Sequence, residues 1–259
     1  MRIGISTACF YPELTEKAIE RMSALGLGVC EIFVNCQDEF DTFLPVFQQK
    51  LYEGQMECVS IHPFTSGSEL MIFFSGYERR ISESLAVYGK YFEFLKSLGG
   101  RYFTFHGARC SGRERLPAAD EIEIYKRLVD LADSKGVCLA QENVYWCRSF
   151  FPDYIAELHA KVEGLGFTLD IKQAKRAGRP VRDYLDAMGE GLVNIHISDA
   201  DETSTCLLPG QGGFDFENLF GELSRRGYKG DALIEVYSEC FSDDGQIALA
   251  GDFVQRLVK

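Results

Sequence analysis

The chain has 259 residues, 46% of them hydrophobic and 25% charged, which is the composition of a folded globular protein and excludes a disordered chain. Its formal charge is −12, from 39 acidic and 27 basic residues; this argues against a nucleic-acid partner, which an excess of Lys and Arg would grip by counterion release. No run approaches the ~18 apolar residues of a membrane span, and nine cysteines without a CxxC pair read as reduced thiols of a cytoplasmic protein, not as a disulfide framework.

The first predicted element is a strand over 3–7, with no apolar leader ahead of it. A helix over 13–25 ends at Gly26-Leu27-Gly28 and is followed by strands over 29–34 and 58–64. The spacing of apolar residues predicts a long helix over 77–98, stopped by Gly99-Gly100 ahead of a strand over 102–106. A helix over 121–135 ends at Gly136 and a fifth strand covers 137–144. Pro152 suits the first turn of a helix over 153–162, and a sixth strand covers 166–170. The seventh strand covers 192–198, Asp215 caps a helix over 216–226, and the eighth strand covers 231–237. Asp243 or Asp244 opens the last helix. Most of the strands alternate poorly between apolar and polar residues, as parallel strands covered on both faces do. Eight strands interleaved with helices, without a low-complexity linker, predict an α/β fold: a single (β/α)8 TIM barrel over residues 1–259. The structural alternative, a doubly wound open sheet, lacks its GxGxxG after the first strand.

In such a barrel the C-terminal strand ends meet at one face. His62, His106, Glu142, Asp170, His196 and Glu235 all fall there. Glu142 and Glu235 lie inside apolar runs, where a carboxylate loses hydration and needs a metal, a cation or a raised pKa. The plainer reading is an outward carboxylate paired with a basic residue on a covering helix. Asp170 is either a ligand or a helix cap, and its company favours the former. Alternation puts Asn194, His196 and Ser198 on one face, the barrel interior. Three carboxylates and one imidazole make a hard, mixed O/N site for one divalent ion, Mn²⁺, Mg²⁺ or Co²⁺, with Zn²⁺ also compatible. His62 and His106 are expected to contact substrate or support the pocket, in preference to holding a second metal. Lys172, two residues past Asp170, either binds an anionic substrate group, neutralises a carboxylate, or is a solvated loop lysine. Trp146 and Arg148, with Tyr145, Phe150 and Phe151, form either a sugar-stacking wall or ordinary packing. The glycine-rich loop over 208–215 suits close backbone approach but is weak alone, and His159 belongs to helix packing or surface.

Gln141-Glu142-Asn143, Thr168-Leu169-Asp170, Asn194-Ile195-His196-Ile197-Ser198-Asp199, the loop over 208–216 and Ile234-Glu235-Val236 carry a family resemblance. Nearly end to end, the chain resembles the xylose-isomerase-like TIM barrels, the superfamily of sugar isomerases and epimerases, inosose-processing enzymes and apurinic endonucleases. The resemblance implies that Glu142, Asp170, His196 and Glu235 hold one divalent metal. It also implies that Glu142 and Glu235 serve as acid and base on opposite faces of the substrate. Two departures bear on substrate contacts. Gln173 stands where family members often have a histidine three residues after the metal-binding Asp. The run Asp199-Ala200-Asp201-Glu202 lacks the arginine that some epimerases carry after the histidine. The nuclease branch uses a histidine-rich three-metal cluster, whereas this chain has 4 histidines in all and no His-x-His or Asp-x-His pair in the 208–216 loop. The expected function is a divalent-metal-dependent isomerase or epimerase. Its substrate would be a sugar, sugar phosphate or related polyol or keto acid, with proton transfer through a metal-stabilised enediolate. A lyase or dehydratase on a similar substrate is the alternative, ahead of an abasic-site endonuclease or a non-catalytic sugar-binding barrel. The partner is a small carbohydrate, reached by His62, His106, Trp146, Arg148, Lys172 and Gln173. A homo-oligomer is compatible with all of this.

Overall fold

In a computed structural model describing residues 1–110 and 116–258, eight parallel strands pair in chain order and close on themselves. They are β1 (Ile3–Ser6), β2 (Val29–Val34), β3 (Glu57–Pro63), β4 (Tyr102–Phe105), β5 (Cys138–Glu142), β6 (Gly166–Asp170), β7 (Leu192–Ile197) and β8 (Asp231–Ile234). Each lies within about three residues of its predicted span; the largest trims are β5, which stops at Glu142, and β8, which stops just before Glu235. Alternation along the strands divides the residues. Ile3, Ile5, Cys30, Ile32, Phe103, Phe105, Leu139, Phe167, Leu169, Ile195 and Ile234 join one apolar core with residues of the surrounding helices. The other face lines the bore, and most of it is polar: Ser6, Glu31, Ser60, Thr104 and Asn194 are fully buried there. Below them Val29, Val59 and Leu233 form a separate small cluster. Gly4 sits against it, and a Cβ at this position would come within 2.4 Å of the Val29 carbonyl oxygen, so only glycine fits.

Two register shifts set the phase of the bore. On β3, Cys30 pairs with Cys58 but Glu31 pairs with Ser60; on β7, Phe167 pairs with Leu192 but Thr168 with Asn194. Each inserts one residue, and a one-residue slip exchanges the two faces of a strand. The insertions at Val59 and Val193 turn Ser60, His62, Asn194 and His196 inward.

The helices are α1 (Thr15–Ser23), α2 (Gln37–Thr42), α3 (Leu44–Glu53), α4 (Glu69–Ile72), α5 (Glu78–Ser97), α6 (Ala118–Ser134), α7 (Pro152–Lys161), α8 (Ile171–Arg176), α9 (Val181–Met188), α10 (Phe216–Arg225) and α11 (Asp244–Leu257). Asp215 and Asp243 cap α10 and α11 as expected, accepting from Asn218 N and Gln246 N. Pro152 occupies the first turn of α7. Helices α2, α3, α4, α8 and α9 were not foreseen. They have 4 to 10 residues, and tertiary packing of residues such as Phe40, Phe47, Leu51, Tyr184 and Leu185 holds them. No helix among the described residues is long and apolar enough to cross a membrane.

The loop over 200–215 is stitched by Asp199, which is almost fully buried at the end of β7. Its carboxylate accepts the backbone N–H groups of Ala200, Gly210, Gly212 and Phe214 at 2.8–3.0 Å. Gly212 passes so close that a Cβ would meet the Ala200 carbonyl oxygen at 2.4 Å. Asp199→Ala leaves four donors without their acceptor and is expected to cost about 2–4 kcal/mol of stability. Urea denaturation measures this, and an unchanged midpoint would remove Asp199 from the role of loop anchor.

Candidate metal centre

Glu142 ends β5, Asp170 ends β6, His196 projects from β7, and Glu235 follows β8 with its N–H still bonded to the Ile197 carbonyl at 3.1 Å. Barrel closure brings the four together: one ligand atom from each lies within 4.8 Å of all the others. Nδ1 of His196 is 2.6 Å from Glu235 Oε2, 3.8 Å from Glu142 Oε1 and 3.9 Å from Asp170 Oδ2. Yet His196 Nδ1, Asp170 Oδ2, Glu142 Oε2 and Glu235 Oε2 are buried without a hydrogen-bond partner among the described residues. Ligand atoms that crowd together in a desolvated space with no well-formed hydrogen bond suit a cation, and the donor set of three carboxylates and one imidazole fits a hard divalent ion.

A second set shares Glu142. His62 on β3 and His106, just past β4, put their Nε2 atoms 2.9 Å apart, and Glu142 Oε2 lies 2.8 Å from His106 Nε2 and 3.7 Å from His62 Nε2. These three side chains also form a group able to hold a metal. The His62 ring stacks on Phe33 at 4.9 Å, and His106 meets the Trp146 ring edge-on at 5.3 Å.

The electrostatics follow from crowding charges out of water. Burial opposes ionisation of Glu142, but His106, His196 and His62 outweigh it and hold the carboxyl well below the usual range. Glu235 is likewise lowered, by Lys172 and His196 acting against burial. Burial pushes Asp170 up to about 7 against the pull of Lys172, with Glu142 and Glu235 adding to the rise. Burial lowers and the Glu31 and Glu235 charges raise His196, which ends well above the ordinary histidine range.

Of the two roles foreseen for Asp170, the helix cap is observed. Its Oδ1 accepts the Gln173 N–H at 2.9 Å as the cap of α8, which leaves Oδ2 for the centre. Lys172 reaches the site from the first turn of that helix, not from a continuing strand. Its buried Nζ lies 3.2 Å from Asp170 Oδ2 and 3.7 Å from Glu235 Oε1, so it is no solvated loop lysine. Gln173 accepts the Tyr145 N–H at 3.3 Å, tying the segment after β5 to α8. Trp146 lies between His106 and the Arg109 guanidinium, which stands 4.6 Å from its ring. His159 packs on Phe167, as expected.

Arg148 is a correction. It does not join the site: its guanidinium pairs with buried Glu121 of α6 and lies 4.3 Å over the Tyr154 ring, while Tyr154 OH also bonds Glu121. An arginine beside aromatic residues looks the same in sequence whether it faces substrate or a buried carboxylate. Arg148→Ala strands Glu121 in a low-dielectric pocket and is expected to cost about 3 kcal/mol by urea denaturation, with substrate KM unchanged. A raised KM without loss of stability would reverse this assignment.

Two buried carboxylates were missed. Glu31, fully buried on β2, accepts from Ser6, Ser60 and Thr104 hydroxyls and meets His196 Nε2 at 3.2 Å. The signal was available: Val29-Cys30-Glu31-Ile32-Phe33 is a glutamate inside an apolar strand, just as at Glu142. Glu69 accepts the N–H groups of His106 and Gly107 at 2.8 and 2.6 Å and the Tyr88 hydroxyl at 3.0 Å, fixing where β4 ends. Nothing local distinguishes Glu69 from a surface helix residue.

A family model described as xylose isomerase-like TIM barrel matches residues 16–256. Across 273 aligned residues the chain is 23% identical to a 3-dehydroshikimate dehydratase of Pseudomonas aeruginosa, covering 100% of this chain and 41% of that protein. Over 58 residues, 22% of this chain and 21% of the relative, it is 36% identical to a fructoselysine 3-epimerase of Shigella flexneri. The chain therefore spans less than half the length of the dehydratase, and its match to the epimerase is a short segment. Among solved structures, D-psicose 3-epimerase with D-tagatose from Clostridium cellulolyticum H10 superposes with a TM-score of 0.82 at 14% identity, covering 100% of both chains. At that identity the likeness concerns the fold.

Proposed function

The chain belongs to the xylose isomerase-like TIM barrel family, and on that footing we propose that it is a divalent-metal-dependent isomerase or epimerase. Its substrate is a small polyhydroxylated carbonyl compound: a sugar, a sugar phosphate or a related keto acid. One observation carries the reading: the buried ligand atoms of Glu142, Asp170, His196 and Glu235 converge at the barrel mouth without well-formed hydrogen bonds. When bound there, a divalent ion supplies positive charge that polarises a substrate carbonyl and acidifies the adjacent C–H. Mn²⁺, Mg²⁺ and Co²⁺ suit the donor set best.

The protein's own groups do the proton work. Glu142 and Glu235 are both held ionised, and β6 and β7 separate the strands that carry them, so they flank a bound substrate from two sides. One takes the proton next to the carbonyl onto a carboxylate oxygen. Delivery of a proton to the same carbon by the other carboxylate inverts that centre; delivery to the neighbouring carbon isomerises. Lys172 offsets the negative charge around Asp170 and Glu235 and presents an ammonium to a substrate oxygen. His62 and His106 stand beside Glu142, placed to bond a hydroxyl and pass its proton to that carboxylate. Trp146 backs His106 as an apolar wall.

The test is metal analysis of the purified protein, then a screen of ketoses, inososes and their phosphates for uptake of solvent deuterium. Incorporation at one carbon in the metal-loaded protein supports the reading; a loaded protein that exchanges none of these would count against it. A lyase or dehydratase is the second reading, favoured by the match of the whole chain to 41% of a protein named as a dehydratase. Both begin with the same proton abstraction, and mass spectrometry separates them: a product lighter by one water belongs to the lyase.

A further inference from the structure

Glu31 lies beneath the four ligands, on the bore side of β2, with no accessible surface. Ser60 Oγ and Thr104 Oγ1 donate to its Oε2 at 2.8 and 3.1 Å, and Ser6 Oγ donates to Oε1 at 3.2 Å. The remaining contact is His196 Nε2, at 3.2 Å from Oε2. An ionised carboxylate only accepts, so the nitrogen facing it carries the hydrogen. In a neutral imidazole the other nitrogen then holds the lone pair. That nitrogen is Nδ1, the atom that faces Glu142, Asp170 and Glu235.

We infer that Glu31 is a positioning residue for the centre: it sets His196 with Nε2–H downward and the Nδ1 lone pair upward toward the ion. A histidine ligand whose second nitrogen donates to a carboxylate is oriented and made more basic by it. Three hydroxyls from β1, β3 and β4 hold Glu31 in place, so the ring angle is set by three strands that carry no ligand of the four. Asn194 Nδ2 donates to Ser60 Oγ at 3.4 Å and so steadies one of the hydroxyls that hold Glu31. This inference rests on the metal-centre reading above. A carboxylate that only knitted strands together would have no reason to meet the ligand's far nitrogen.

The experiment compares wild type and Glu31→Gln, both stripped and then titrated with Co²⁺ by calorimetry and by visible absorption. Thermal melting of the metal-free forms is followed alongside. Glutamine keeps the shape and an acceptor but loses the charge. The expected result is Co²⁺ affinity weakened roughly 10- to 100-fold, an altered Co²⁺ absorption spectrum, and a metal-free form that still unfolds cooperatively. Affinity and spectrum equal to wild type would overturn the Glu31 assignment alone; wild type that takes up no Co²⁺ overturns the metal centre and Glu31 with it. Should Glu31→Gln fail to fold, ¹⁵N-histidine spectra of the Zn²⁺-loaded wild type carry the decision, with the His196 signals identified by their loss in His196→Asn. Protonated Nε2 and a metal-shifted Nδ1 support the assignment, and binding through Nε2 overturns it.

Discussion

Glu142→Gln and Glu235→Gln proteins should fold, yet each should lose roughly 10²- to 10⁴-fold of solvent-deuterium incorporation, the range a positioned acid or base contributes. The substitutions are isosteric and remove one negative charge apiece; because the histidines and Lys172 hold both carboxylates below the usual range, the metal-free fold loses favourable ion pairs and is expected to melt somewhat lower. An amide cannot take a proton from carbon, and the position on the substrate that exchanges identifies which glutamate serves which face. Because both residues are also proposed ligands, metal content must be measured on the same samples. A variant that keeps its ion and loses exchange isolates the proton-transfer role; a variant that loses both is scored as a ligand. Exchange at the wild-type rate in both would end the assignment of either as base.

Chelation should abolish exchange and lower the melting temperature. An ion that binds the folded chain and not the unfolded one adds about 3–4 kcal/mol of stability at a hundred to a thousand times its dissociation constant. Removing it leaves carboxylates facing one another with Lys172 and the His196 ring as the neighbouring cations. The pH dependence has a definite sign. Asp170 must be deprotonated to bind, and in the metal-free protein burial pushes its carboxyl up to about 7. Metal uptake therefore weakens as pH falls through 7, whereas an ordinary aspartate would hold its ligand form down to about 4. Calorimetric titration between pH 8 and pH 5 measures this. A flat affinity across that interval would show that Asp170 does not ligate.

Arg148 and Glu31 mark the two ways in which reading the chain alone misjudges a site. Arg148 was assigned to substrate because it follows Glu142 among aromatics, but it turns away to Glu121, 27 residues earlier in sequence. Glu31 has apolar surroundings that match those of Glu142 and Glu235, but it sits in the middle of β2 and not at a C-terminal strand end, where candidate ligands are sought. The unforeseen short helices α2, α3, α4, α8 and α9 belong to the same class, since their stability comes from packing and not from local period. Lys172 shows a subtler case: it reaches the centre from the first turn of α8, on a helix that Asp170 itself caps.

By itself the sequence determined the eight strands, the longer helices, the α/β barrel and the roster of polar residues at the strand ends. These are local matters of apolar spacing, caps and glycine stops, and they survive without knowledge of partners. Only the tertiary structure decided which of those residues meet. Barrel closure places β5 to β8 side by side, and the inserted residues at Val59 and Val193 decide whether His62 and His196 face the bore or the helices. Hydrogen bonds from other strands decide which nitrogen of His196 is left for a ligand. Distances between groups far apart in the chain, and the phase of one strand against its neighbour, depend on contacts that no local pattern encodes.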